Sequence, residues 1–171
     1  MMLILVCGLP GVGKTTMAKR IADETKSFVL STDTLRKKII DDPEYTEREK
    51  ELVYNLLFEM AEKFLMTGKN VILDGTFYRK KLRDRARKLA ERTNNEFIIV
   101  EIVCDEKIVK KGMAKRKERG SESDADFEIY KKIKRQFEPI KEKHLVIDTT
   151  MGFDQAMKIF TRRIQRVAGT V

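Results

Sequence analysis

The stretch GLPGVGKTT places Gly8, Gly13, Lys14 and Thr15 at the spacing G-x-x-x-x-G-K-T. It directly follows the apolar run MLILVC and precedes a helical pattern. Glycines let a backbone wrap closely round an anion without Cβ clashes. Successive N–H groups and a helix N-terminus then aim positive dipole at it. The binding segment comprises Gly8, Pro10, Gly11, Val12, Gly13, Lys14, Thr15 and Thr16. A Lys at this spacing reaches β- and γ-phosphates, and the following hydroxyl is a Mg²⁺ ligand. The anion expected here is a nucleoside triphosphate, with Lys14 acting on its phosphates and Thr15 on the metal.

Three further side chains could complete the chemistry. Asp74 ends the apolar run VILD. A strand-end carboxylate beside a phosphate loop holds the Mg²⁺ shell, so Asp74 joins Thr15 as a metal residue. Asp33 and Arg36 lie in STDTLRKK, just past the run Phe28 to Leu30. Strand C-terminal ends line the ligand crevice of an open parallel sheet. A carboxylate there can take a proton from an attacking hydroxyl. Asp33 can equally cap the helix that follows, and position alone does not separate the two roles. Arg36, one helical turn later, can offset phosphate charge during transfer.

These residues need a scaffold, and the apolar pattern supplies one. Strand-length runs recur at Leu3–Cys7, Phe28–Leu30, Val71–Leu73, Phe97–Cys104 and Leu145–Ile147. They are continuous rather than alternating, the mark of parallel strands covered on both faces. Helical stripes fall between and after them. One holds Val53, Leu56, Leu57, Met60 and Phe64; another holds Leu82, Ala86, Leu89 and Ala90. A third holds Phe153, Met157, Phe160, Ile164 and Val167. The fold class is α/β, with helices on both sides of a parallel sheet of about five strands. Residues 1–171 read as one domain, with the polar RKERGSES segment forming a small lid around 112–125.

Composition narrows the function classes. Lys and Arg total 36 against 27 Asp and Glu, a net charge of +9 that draws anionic partners. The segment Arg79 to Arg92 carries eight basic and two acidic residues. With its apolar stripe buried, it offers the other face either to a nucleic acid or to solvent. The acidic stretch Asp41 to Glu49 is expected to face solvent. Cys7 and Cys104 form no CxxC and read as buried core residues of a reducing, cytoplasmic setting. The single His144 builds no metal cluster and reads as an ordinary residue at a strand start. No run is long and apolar enough to span a membrane.

GLPGVGKTT, STDTLR, VILDGTFY, KERG and VIDTT occur in that order along the chain. The set resembles the P-loop kinases of the polynucleotide 5′-kinase and seryl-tRNA(Sec) kinase type, within the three-layer P-loop NTPase class that includes nucleoside-monophosphate kinases. The resemblance implies ATP and Mg²⁺ as cofactors and a hydroxyl-bearing acceptor. It implies that Asp33 is the general base, that Arg36 contacts phosphates and that Asp74 lies near metal and acceptor. It also implies a lid arginine at Arg119, acting on nucleotide and catalysis, with Lys115 and Arg116 as weaker candidates. Asp148 and Thr149 would border the base. The resemblance covers the phosphoryl-transfer core and leaves the acceptor open. A nucleic-acid 5′-hydroxyl or aminoacyl-tRNA-like acceptor competes with a small alcohol such as adenylyl sulfate or a sugar. An ATPase switch and a nucleic-acid-binding module are the rivals from other classes. The absence of an NKxD signature disfavours a GTPase switch.

Overall fold

A computed structural model describes residues 1–118 and 127–168. Five strands form one sheet: β1 (Met2–Cys7), β2 (Ser27–Ser31), β3 (Asn70–Asp74), β4 (Glu96–Val103) and β5 (Leu145–Asp148). Their order is β2-β3-β1-β4-β5, and every pairing is parallel. The helices are α1 (Lys14–Thr25), α2 (Thr32–Ile39), α3 (Glu47–Met66), α4 (Lys80–Arg92), α5 (Glu106–Glu118), α6 (Phe127–Gln136) and α7 (Phe153–Ala168). Each expected strand forms, with boundaries shifted by a residue or so.

Side-chain alternation divides the central strand between two cores. Leu3, Leu5 and Cys7 pack with Val71, Leu73 and Ile99 against α3 and α4. Ile4 and Val6 pack with Ile72, Val100 and Ile102 against α1 and α7. The sheet is therefore covered on both faces, which is why its central runs are apolar throughout. The edges depart from this rule. Phe28 on edge strand β2 is half exposed and covers itself by stacking on Phe64, 4.9 Å between centroids.

Helix α3 is rotated from the expected stripe. It buries Val53, Tyr54, Leu57, Phe58, Ala61 and Leu65, while Leu56, Met60 and Phe64 are only partly covered. Tyr54 and Phe58 turn inward because Phe77 stands between them and the sheet end, at 5.2 and 6.4 Å between ring centroids. Helix α4 also departs from the expectation that all its basic residues lie on the face left by the apolar stripe. Arg83 is fully buried and donates to the carbonyls of Phe77 and Glu138, each at 2.8 Å, and of Pro139 at 3.3 Å. Carbonyls from two segments supply the partners that let a guanidinium sit inside.

Candidate phosphate and acceptor site

Strand register gathers the site. Asp74 lies beside Val6 of β1 and Ser31 of β2. The C-terminal ends of three adjacent strands thus put the phosphate loop, Asp74 and the start of α2 at one edge of the sheet. This is the end where parallel sheets bind ligands.

The loop between β1 and α1 holds the backbone its glycines predict. Gly8 has φ +140°, and a Cβ there would stand 2.3 Å from the Ile102 carbonyl oxygen. Gly13 has φ +96°, and its Cβ would meet the Phe153 ring at 2.6 Å. Pro10 and Val12 are buried as the inner wall, while Gly11 is partly covered. Helix α1 begins at Lys14 with no capping side chain and no acidic residue in its first turn. The first turn of α1, Thr15 and Thr16 included, presents its N-terminal end to the loop, the arrangement that receives an outside anion. The Lys14 ammonium donates to the Leu9 carbonyl at 2.8 Å, folded back over the loop.

Asp74 is the electrostatic centre. It is 1% exposed, and its Oδ2 accepts the Thr15 hydroxyl at 2.8 Å. Its Oδ1 is buried without a hydrogen-bond partner among the described residues. Burial pushes the Asp74 carboxyl above the usual range, while Lys14 and hydrogen bonds from Thr15 and Ser31 pull the other way. A buried oxygen without a partner costs free energy unless something pairs with it. A divalent cation fits this set: one hydroxyl, one carboxylate, hard oxygens only. Thr15 and Asp74 are the two residues that would hold it. Ser31 is a third member that the sequence reading missed; its pairing with Asp74 follows from the β2–β3 register.

Asp33 lies inside the first turn of α2, and the N-cap position belongs to Ser31. The capping alternative is thereby corrected: a residue beyond the cap cannot cap the helix. Asp33 is exposed, and its negative charge acts on both Asp74 and Tyr54. It is a solvent-facing carboxylate at the mouth of the site. Arg36 lies on the same helix but is 5% exposed. Its Nη1 stands 3.7 Å from Glu49, and its guanidinium lies 4.7 Å from the Tyr45 ring centroid. Its Nε and Nη1 are buried without hydrogen-bond partners among the described residues. The acidic stretch expected in solvent thus sends Glu49 inward. The Glu49 carboxylate accepts the backbone N–H groups of Glu44 and Tyr45 at 3.1 and 2.7 Å.

Tyr54 was also missed. It is buried, its hydroxyl hydrogen-bonds the Thr76 side chain and the Phe77 backbone, and burial raises its phenol to about 12. Thr76 in turn accepts the Gly8 N–H on its carbonyl at 3.4 Å. The turn after Asp74 is therefore tied to the phosphate loop on one side and to α3 on the other.

The remaining candidates fall elsewhere. Thr149 braces the phosphate loop, donating its hydroxyl to the Val12 carbonyl at 2.8 Å and the Val103 carbonyl at 3.2 Å. The Asp148 carboxylate accepts the Thr150 N–H at 2.8 Å. Arg119 lies outside the described residues, as does much of the 112–125 segment; Lys115 is exposed on α5. Cys7 is buried, whereas Cys104 is only partly covered, because β4 ends one residue before it. His144 precedes β5 and sits 3.2 Å from Glu101. Among the described residues no helix is long and apolar enough to cross a membrane.

Much of the basic charge on α4 is already answered within the fold. Arg79 pairs with Glu47, Lys80 with Asp84, Arg87 with Glu142 and Arg92 with Glu62.

Comparison with known proteins agrees with this geometry. The AAA domain family model matches residues 3–140. A Mycobacterium tuberculosis protein of uncharacterized function is 34% identical over 114 residues, 60% of this chain and 22% of that protein. The chain therefore spans about a fifth of that relative's length. A Methanocaldococcus jannaschii protein named "Putative adenylate kinase" is 31% identical over 121 residues, 67% of this chain and 59% of that one. Kti12 of Chaetomium thermophilum, crystallised with ADP-AlF3, shares the fold with a TM-score of 0.74 at 20% identity. That match covers 95% of this chain and 97% of the other. The fold is that of the P-loop NTPases, in the nucleoside-monophosphate-kinase-like arrangement.

Proposed function

The chain belongs to the AAA domain family, and from that premise we propose that it is an ATP- and Mg²⁺-dependent phosphotransferase acting on an alcohol. The observation that carries the reading is the pair of carboxylates at one mouth. Asp74 is buried with an unpartnered oxygen, and Asp33 is exposed and within its electrostatic reach. One suits a metal; the other suits a proton acceptor that an incoming hydroxyl can reach. A hydrolytic switch has less use for an open carboxylate on the acceptor side. The name carried by the Methanocaldococcus jannaschii relative supports phosphoryl transfer from a nucleotide, the coarser part of this reading.

In this mechanism the glycine-rich loop and the open end of α1 bind the triphosphate. Lys14 leaves the Leu9 carbonyl to meet the β- and γ-phosphates. Thr15 and Asp74 would hold Mg²⁺, which supplies charge neutralisation on the phosphate oxygens. Asp33 orients the acceptor hydroxyl and takes its proton. Arg36, one helical turn beyond Asp33, offsets negative charge as it builds on the phosphate oxygens. Arg119 is assigned the same service from the nucleotide side. Precise placement of the reacting oxygens provides most of the acceleration, because little other chemistry is needed.

The resemblance to polynucleotide 5′-kinases and seryl-tRNA(Sec) kinases belongs to this proposal, resting on the order of the five motifs. Within it, the ion pairing on α4 favours a small acceptor over a nucleic acid, since fewer cations remain for phosphates.

Asp33→Asn tests the central assignment. ATP affinity should stay near wild type while phosphoryl transfer falls by roughly 10²-fold or more. Unchanged transfer in this variant would remove Asp33 from the role of base.

A further inference from the structure

A groove of about 520 Å³ runs between the N-terminal halves of α3 and α4. That volume suits a ligand of metabolite size. Tyr54 and Tyr78 line it, and both are buried apart from the faces they offer it. Tyr54 stands where the groove meets the candidate site, since it feels the Asp33 charge and holds Thr76 just past Asp74. An acceptor whose hydroxyl reached Asp33 would lay its body along this groove.

The charge along the groove is lopsided. Five cationic side chains line it against two carboxylates. Two of the cations, Lys50 and Arg79, share Glu47. Arg85 has no carboxylate within ion-pair distance among the described residues. Its guanidinium stacks 4.4 Å from the Phe58 ring centroid and donates Nη1 to Asn55 Oδ1 at 2.6 Å. Burial lowers its affinity for its proton and Arg92 adds like-charge repulsion, while the more distant carboxylates of Glu59 and Glu51 act the other way. A partly desolvated guanidinium, fixed by an aromatic face and a single amide, has no direct ion-pair partner among the described residues. An anion in the groove would supply one.

We infer that the groove is the acceptor subsite and that Arg85 selects alcohols carrying a phosphate or carboxylate group. This deepens the alcohol-phosphotransfer reading and rests on it. The anionic group is bound and unchanged; the hydroxyl at the Asp33 end is the group that receives phosphate. Arg85 differs from Arg36 in this scheme: Arg36 serves the phosphoryl in transit, Arg85 the acceptor's own charge.

The test offers alcohols in matched pairs, with γ-labelled ATP and Mg²⁺: glucose 6-phosphate against glucose, gluconate against glucose, glycerol 3-phosphate against glycerol, with the label located on a carbon-bound oxygen of the product. Label should appear on an anionic member with kcat/KM at least roughly tenfold above its neutral partner. Arg85→Met should bring that ratio toward one through the KM of the anionic acceptor, with the KM for ATP near wild type. Arg85→Lys should restore part of the preference. Lys81→Met, at an exposed position on the same groove, provides a second variant that does not disturb packing and should weaken the preference less. Equal labelling within a pair, or a preference that survives Arg85→Met, overturns the inference while leaving phosphotransfer standing. If no alcohol is labelled, calorimetry with the anionic members on enzyme loaded with a non-hydrolysable ATP analogue decides the groove separately. Saturable binding lost in Arg85→Met would support it, and no binding would overturn it.

Discussion

The Thr15 hydroxyl donates to Asp74 Oδ2 at 2.8 Å, joining the first turn of α1 to the last residue of β3 across 59 positions of sequence. The helix that follows the glycine-rich loop and the strand beside it are thus joined directly. The other Asp74 oxygen is buried without a hydrogen-bond partner among the described residues, and it is the oxygen that the proposed Mg²⁺ would pair.

That arrangement sets a conflict between stability and activity. Burial raises the Asp74 carboxyl in the fold, so the folded state holds this proton more tightly than the unfolded chain does. The sign follows from linkage: stability tied to this group declines as pH rises from the ordinary carboxylate range, about 4, through the raised folded value. Asp74→Asn removes the titration. Without metal, thermal unfolding of the variant should match or exceed wild type at neutral pH, with the gap shrinking toward acid. Its Mg²⁺-dependent transfer should be nearly lost.

Arg36 poses a similar choice. Its Nε and Nη1 are buried without hydrogen-bond partners among the described residues, its ion pair with Glu49 is long at 3.7 Å, and Glu49 already accepts two backbone N–H groups. Replacing an ill-paired buried charge with an apolar side chain of similar volume is often neutral or stabilising. Arg36→Met should therefore fold at least as firmly as wild type and transfer phosphate roughly a hundredfold more slowly. A variant that unfolds easily yet transfers normally when folded would make Arg36 a packing residue.

Gly13→Ala tests the loop itself. The position needs φ +96°, and an added Cβ would lie 2.6 Å from the Phe153 ring. The backbone strain alone is of order 1–3 kcal/mol. Chemical denaturation should register that loss, and nucleotide affinity should fall with it. Adding Phe153→Ala should relieve the steric part and leave the backbone part.

Thr149 separates bracing from base contact. Its hydroxyl is spent on the carbonyls of Val12 and Val103. Thr149→Val should weaken binding of ATP and GTP alike, by about 1–3 kcal/mol for the Val12 carbonyl that loses this donor, while the Val103 carbonyl keeps the Thr149 N–H at 2.9 Å. A change that discriminates between the two bases would instead mark Thr149 as a base-reading residue.

The sequence was most legible where one interaction dominates. Continuous apolar runs located all five strands, because both sheet faces are covered. The glycine spacing located the phosphate loop, because the backbone path there permits little else. Side chains whose surroundings come from distant segments were harder to read. Arg83 looked like one more surface cation of α4, yet carbonyls from Phe77, Glu138 and Pro139 draw it inside. Tyr54 looked peripheral to the helical stripe, yet the Phe77 ring and the Thr76 turn claim it. Ser31 adjoins Asp74 through strand register, and register was not predicted. Phe28 looked buried, but the sheet order makes β2 an edge.

The most direct measurement is the fate of labelled γ-phosphate when ATP and Mg²⁺ are offered with a panel of alcohols, including 5′-hydroxyl RNA and DNA, seryl-tRNA, adenylyl sulfate, sugars and nucleosides. The account predicts label on an acceptor, slow turnover without it, and loss of transfer in Asp33→Asn. Label released only as free phosphate, at a rate that no acceptor alters and Asp33→Asn leaves intact, would contradict it and point to an ATPase switch.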